Sequence, residues 1–355
     1  MLSDVPALRG ALIAWYDRVA RDLPWRRTRD PYAIWVSEIM LQQTRVDTVV
    51  RYYDRFLARF PTPAALAMAS EDAVLAAWSG LGYYRRARNL HSGVREVVER
   101  YGGEVPRSAE ARSALPGVGR YPAGAIGSIA FELPEPIVDG NVARVLGRVL
   151  AIEQPPAQAQ RALWEAAELL VQGPRPSALN QALMELGATL CSKRSPGCAR
   201  CPIASGCRAY AEGRQEAFPL TLKKRAPRLS ERVALVATRT RGQRAELWLE
   251  RGERALFSGL WNLPMAEGRG RKAAQQLLER SGLSGTLSPR PAGALEHVLT
   301  HLRLSVQLWS VSDAHAAASG CAATPLDLCA LSEVGISRLT EKALAELQVS
   351  ASGPT

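Results

Sequence analysis

From residue 8 to about residue 215, apolar positions recur at three- and four-residue spacing, the period of helices that bury one face. The stretch VSEIMLQQTRVDTVVRYYDRFLARF (36–60) carries apolar residues at that spacing and reads as helical. Ser70 stands where an N-cap belongs, ahead of EDAVLAAWSG with acids in its first turn, and Gly80 and Gly82 end that segment. YYRRARNLHSGVREVVERYG (83–102) is again helical, and SALPGVGRYPAGAIGSIAF (113–131) reads as helix, tight turn, helix. GNVARVLGRVL and QRALWEAAELL continue the series, so residues 1–220 predict an all-α domain of short helices.

The period changes after TLKKRAPRLSER (221–232), a basic, Pro-containing stretch with the composition of a linker. RVALVAT, AELWLER and LRLSVQLWSV alternate or run β-rich, and RKAAQQLLERSG is one helix between them. Residues 233–345 therefore predict a small α+β domain, and 346–355 a flexible tail.

A chain of 355 residues exceeds one ordinary domain, which agrees with that division. No apolar run approaches the ~20 residues that span a bilayer, and the N-terminal segment, with Asp4 and Asp17, lacks a secretory layout. The reading is a cytoplasmic monomer without a membrane partner, in which clustered cysteines point to metal or catalysis rather than disulfides. The net charge of +11 is uneven: residues 1–231 hold 31 basic against 23 acidic residues. That excess favours a polyanion as partner, although solubility alone would also explain it.

Four of the six cysteines, Cys191, Cys198, Cys201 and Cys207, are separated by six, two and five residues. Thiolates suit zinc or iron–sulfur clusters. Structural zinc sites often use two CxxC pairs, and only one is present; four thiols in a loop wrapped about one bulky centre suit a 4Fe–4S cluster better. Lys193, Arg194, Arg200 and Arg208 surround that loop, where they can meet a phosphate backbone. Cys321 and Cys329 lie far off in the second domain and read as packing residues.

In ALPGVGRYPAG, Gly117, Val118 and Gly119 form a turn whose amides meet the start of the next helix, where anions are favoured. Twenty residues after Gly119 stands Asp139 in IVDGNVARVL; alone, it reads as a helix N-cap. Glu38 lies among Trp35, Val36, Ile39, Met40 and Leu41. A carboxyl buried there holds its proton near neutral pH, as a general acid must. A place on a solvated helix edge would leave it an ordinary surface Glu.

The motifs PWR…DPYAIWVSEIMLQQT, GLGYYRRARNLH, LPGVGRYPAGAI, VDGNVARVL, LNQALMELGA and the cysteine loop occur in one order between residues 24 and 207. In this the chain resembles the MutY-type adenine DNA glycosylases of the endonuclease III, helix–hairpin–helix superfamily. The resemblance implies a 4Fe–4S cluster on the four cysteines and a double-stranded DNA substrate with adenine opposite 8-oxoguanine or guanine. It implies that Glu38 protonates a flipped adenine, that Asp139 stabilises the cationic sugar, and that Tyr121 and Asn141 hold the two carboxyls. Trp25, Arg26, Leu41, Val46 and Glu185 match positions of the adenine pocket; Gln43, Thr44, Leu81 and Tyr83 match elements that wedge the duplex. Endonuclease III carries a Lys directly after LPGVGR, which cleaves the strand through a Schiff base; here the residue is Tyr121, so base removal without strand cleavage is expected. Pro122 departs from the family's usual Thr. The second domain resembles a nudix fold, with FSGLWNLP (257–264) as its signature turn. Its helix holds only Glu279 as an acid, too few for magnesium, so no nudix hydrolysis is expected. In HVLTHLRL, Leu299, Thr300 and His301 match the loop that reads the lesion, Leu299 standing for the usual Phe. Two alternatives remain: a glycosylase–lyase for oxidised pyrimidines, and a non-catalytic, cluster-stabilised DNA-binding protein.

Overall fold

The computed structural model describes residues 2, 4–220, 226–242, 244–252, 256–317 and 321–349. It divides into two compact units, one of residues 1–68 with 89–223, the other of 69–88 with 224–355. No helix among the described residues is long and apolar enough to cross a membrane.

The first unit is helical. α1 (Val5–Val19) leads through a 3-10 turn at Pro24–Arg26 into α2 (Pro31–Leu41), α3 (Val46–Arg59) and α4 (Pro63–Met68). After α5 (Glu71–Ala77), which belongs to the second unit, come α6 (Arg85–Tyr101), whose residues 85–88 also fall in the second unit, α7 (Ala109–Ala114), α8 (Arg120–Phe131), α9 (Gly140–Val149), α10 (Gln160–Val171), α11 (Pro176–Thr189) and α12 (Arg208–Ala211). α2 packs on α3 and α8, and α11 packs on α1, α8, α9 and α10. The helical pattern over 36–60 is divided between α2 and α3. Gln43 has φ +59°, so the ladder breaks between Leu41 and Val46 and the chain turns there.

The second unit is α+β, as its sequence predicts. Its strands are β1 (Arg228–Arg241), β2 (Arg244–Arg251), β3 (Trp261–Asn262), β4 (Met265–Glu267), β5 (Leu283–Leu287), β6 (Gly293–Val298), β7 (Leu302–Ala316) and β8 (Ala323–Asp327). They form one mixed sheet in the order β3-β2-β1-β7-β5, with β4 on β1, β6 on β7 and β8 on β2. The central pair β1/β7 is parallel. Both faces are covered, so β1 is apolar on both sides: Val233, Leu235 and Ala237 join α13 (Gly270–Arg280), whereas Ala234 and Val236 join the cluster containing Leu339 and Ala343 of α14 (Arg338–Glu346).

Two boundaries differ from the sequence reading. β1 starts at Arg228, inside the stretch expected as linker, because it pairs with β7 from Leu302 onward; residues 221–225 lie outside the described residues. Residues 69–88, expected within the helical domain, pack with the sheet. Arg251 pairs with Asp72 at 3.0 Å, Ser79 donates to Glu341 at 3.1 Å, and Arg88 donates to Ser258 at 3.3 Å. A Cβ on Gly335 would stand only 2.5 Å from Leu75 Cβ, so the backbones touch there. The helical period of 71–77 shows a helix but not its partner. Of the tail, Leu347 and Val349 pack on the α14 face, and 350–355 lie outside the described residues.

Candidate active site

α2 opens with Asp30 as N-cap, its side chain accepting from Tyr32 N at 3.0 Å, and Pro31 in the first turn. Every residue from Tyr32 to Met40 is buried, so α2 has no solvated edge on which Glu38 could lie. Glu38 is 3% exposed, and its Oε2 accepts from Tyr121 Oη at 2.5 Å. Burial pushes the Glu38 carboxyl up to about 7; the Tyr121 hydrogen bond and the Arg26 charge pull it down, and Asp139 pushes it further up. Burial also holds the Tyr121 phenol well above its ordinary value, so it stays a donor.

Asp139 is the N-cap of α9, and the bland reading of it is true. Its Oδ1 accepts from Asn141 N at 2.9 Å and Val142 N at 2.7 Å, and its Oδ2 from Asn141 Nδ2 at 3.0 Å. Capping fixes its rotamer and leaves the carboxyl facing the same cavity as Glu38. Burial raises its pKa against these donors and the Arg144 charge. Arg144 Nη2 donates to Asn141 Oδ1 at 2.9 Å and to Gly187 O at 2.7 Å, and Arg144 Nε to Cys191 O at 2.9 Å. The aspartate is thereby tied to the cysteine loop through two side chains.

The cavity measures about 440 Å³. Glu38, Asp139, Tyr121 and Asn141 line it, as do Trp25, Arg26, Leu41, Val46 and Glu185 from the expected base pocket and Gln43 and Thr44 from the expected wedge. Glu185 is fully buried between Arg21 and Arg26, with salt bridges of 2.6 and 2.8 Å. Burial pulls its pKa up, but the two guanidiniums outweigh it and hold it below the ordinary value. Arg21, Gln181 and Met184 also line the cavity; Gln181 and Met184 lie within LNQALMELGA with no role assigned to them from sequence, and Arg21 lies in no motif. Gln181, Met184, Glu185 and Ala188 follow the i, i+3, i+4, i+7 spacing of one helix face, a signal that Glu185 alone could have supplied. Arg21 follows α1 and carries no such signal.

At the hairpin, Gly117 has φ +76°, and a Cβ there would meet Asn89 Cβ at 2.6 Å. Val118 is buried and Gly119 caps α8. Pro122 is the third residue of α8, still in the first turn, where an N–H has no intrahelical acceptor. Leu81 and Tyr83 belong to the second unit: Leu81 is buried, and Tyr83 is 51% exposed with φ +49°. Residues 299–301 turn β6 into β7. Thr300 and His301 are exposed on the turn, whereas Leu299 packs inward on the α14-side cluster.

All four cysteines of the loop line one apolar cavity with Val145, Leu186 and Ile203. Arg148, 1% exposed, donates to Cys191 Sγ at 3.2 Å and to the carbonyls of Ser192, Lys193 and Phe218. Four sulfurs around one apolar cavity suit a bulky centre that takes cysteine ligands. Among the described residues no group of three or more His, Cys, Asp or Glu is set to hold a single ion. The four sulfurs fit a 4Fe–4S cluster. Lys193, Arg194, Arg200 and Arg208 are exposed around it.

The model of the HhH-GPD superfamily of base excision DNA repair proteins matches residues 36–169. The human adenine DNA glycosylase is 38% identical over 370 residues, covering 88% of this chain and 68% of its own length. The chain belongs to the adenine DNA glycosylase family. The mouse enzyme is 39% identical, covering 90% of this chain and 73% of its own length. A thermostable thymine-DNA glycosylase matches with a TM-score of 0.55 and 32% identity, over 59% of this chain and 97% of its own. An endonuclease III trapped as a covalent DNA intermediate matches with a TM-score of 0.51, over 60% of this chain and 99% of its own; at 23% identity it speaks to fold alone. The protein is thus a DNA glycosylase of base excision repair, and Glu38 and Asp139 both lie in its helical unit.

Proposed function

We propose that the protein hydrolyses the N-glycosidic bond of adenine mispaired with 8-oxoguanine or guanine, without cleaving the strand. The observation that carries this reading is that Glu38 and Asp139 open on one 440 Å³ cavity, with Glu38 poised to keep its proton near neutral pH. Adenine is turned out of the stack into that cavity. Glu38 protonates N7, making the base a leaving group; the glycosidic electrons depart with it and C1′ becomes an oxocarbenium ion. Asp139 stabilises that cation, and Glu38, now ionised, takes a proton from the attacking water. The labour is divided as between the two carboxyls of glycosidases.

Strand cleavage through an imine needs an amine at C1′. Tyr121 offers a phenol donated to Glu38, and the described residues lining the cavity include no lysine. Cys191, Cys198, Cys201 and Cys207 would hold a 4Fe–4S cluster, which when bound cross-links their loop at four points and supplies no step of the hydrolysis. Thr300 and His301, exposed on their turn, are proposed to read the base opposite adenine. The deciding experiment measures adenine release from a duplex carrying adenine opposite 8-oxoguanine, with strand breakage scored before and after alkali. Release with breakage only after alkali is expected. Breakage without alkali, trapped by borohydride, would replace this reading with the lyase.

A further inference from the structure

We propose that Arg21 is a positioning residue for the base pocket, acting through Glu185; the inference rests on the base-excision reading of that cavity. Arg21 takes Glu185 in a fork, with Nε on Oε1 at 2.6 Å and Nη2 on Oε2 at 2.8 Å. Arg26 reaches the same carboxylate with one nitrogen only, Nη2 on Oε2 at 2.8 Å, and its Nη1 donates to the carbonyl of Arg21 at 3.1 Å. Arg21 therefore holds both other members: Glu185 by its side chain and Arg26 by its backbone.

A planar fork sets the orientation of a carboxylate in a way that one point contact does not. Without the Arg21 side chain, the fully buried Glu185 keeps the one-nitrogen contact from Arg26 and the long contact from the residue 21 backbone N–H to Oε1 at 3.4 Å, and no fork sets its plane. The wall of the cavity that carries Gln181, Met184 and Glu185 then loses its register against Glu38. Displacements of about 1 Å in such a wall cost on the order of a hundredfold in rate. The competing role for Arg21 is a direct phosphate contact, since 38% of its side chain is exposed. That role would appear in affinity and its salt dependence rather than in the chemical step.

The test is a double-mutant cycle of Arg21→Ala and Glu185→Gln. Base release is followed at saturating enzyme, and duplex affinity with an analogue whose deoxyribose carries a 2′-fluorine. Arg21→Ala is expected to slow release at least tenfold while the dissociation constant and its salt slope stay within twofold. In the Glu185→Gln background the same change should alter release less than twofold, and Arg21→Lys, which keeps the charge without the fork, should recover only part of the rate. Full additivity, a loss confined to affinity, or wild-type release by Arg21→Ala would overturn the proposal.

A readout independent of catalysis keeps it testable if Glu185→Gln does not fold. Glu185 is held below its ordinary value, so its contribution to stability is present above the unfolded value and lost as pH falls through the folded one. Removing the Arg21 side chain raises the folded value, so acid melts of Arg21→Ala should show a smaller loss, complete at higher pH than in the wild type; an unchanged acid limb would also overturn the proposal. Glu38→Gln, run in parallel, reports separately on the catalytic reading: wild-type release by that variant defeats the acid assignment whatever Arg21 does.

Discussion

Tyr121 Oη donates to Glu38 Oε2 at 2.5 Å, inside a helix buried along nearly its whole length. The bond favours the ionised carboxylate and opposes the burial that pushes Glu38 to about 7. Removing it in Tyr121→Phe should raise that pKa further. The alkaline limb of base release, which marks loss of the Glu38 proton, should then move to higher pH. Single-turnover rates from pH 5 to 9 check this, and a limb that stays in place would remove Tyr121 from the control of Glu38.

Glu38→Gln should retain duplex binding and lose base release by about 10²- to 10⁴-fold, the usual worth of a general acid. The same substitution tests burial. The folded-state value lies above the ordinary 4.5, so protonated Glu38 contributes stability that is complete below that unfolded value and lost as pH rises through about 7. Gln does not ionise. The variant's melting temperature should therefore fall less than the wild type's between pH 5 and pH 8.

Asp139 caps α9 and, in the proposed reaction, steadies the cationic sugar, and two substitutions separate these roles. Asn can accept from the Asn141 and Val142 amides, so Asp139→Asn should melt near the wild type yet release adenine far more slowly, having lost the charge that steadies the sugar. Asp139→Ala should lose the same activity and about 1 kcal/mol of stability in addition, the typical worth of an N-cap. Equal melting of the two variants would mean that the cap contributes nothing.

Arg148 holds the carbonyls of Ser192, Lys193 and Phe218 and the Cys191 sulfur from a fully buried position. In Arg148→Met those acceptors lose their donor, at about 1–3 kcal/mol for each left buried and unpaired. The purified variant should carry less iron per chain and melt earlier. Full iron content at wild-type stability would separate Arg148 from the loop's integrity.

Thr300→Ala and His301→Ala should reduce the preference for adenine opposite 8-oxoguanine while leaving release opposite guanine within about threefold, as expected where an exposed side chain reads one base by a hydrogen bond worth about 1 kcal/mol. Deleting 233–355 should lower the same preference but is a blunter probe, because it also strips Gly335 from Leu75 and Glu341 from Ser79. A preference untouched by both substitutions would move lesion reading elsewhere.

Much of this was legible in the chain. Periods of 3.6 and 2 separated a helical from an α+β region, and cysteine spacing marked the loop. The motif order marked Glu38, Asp139 and most of the cavity wall. What the motifs missed has a common cause. Arg21 reaches Glu185 across more than 160 residues of sequence, and Gln181 and Met184 matter only because one face of α11 turns toward the cavity. The segment 69–88 shows its helix but not the sheet it joins, and Leu299 turns inward because apolar side chains of α14 and β7 offer it burial.

The sequence by itself determined which side chains were available and which local geometry each would take, because helical period, capping and glycine turns are properties of near neighbours. Only the tertiary structure decided that burial raises Glu38 to about 7, that Asp139 is both a cap and a cavity carboxyl, and that two arginines share one buried glutamate. Those properties follow from desolvation and from charges brought together over long loops, and neither exists until the chain has closed around them.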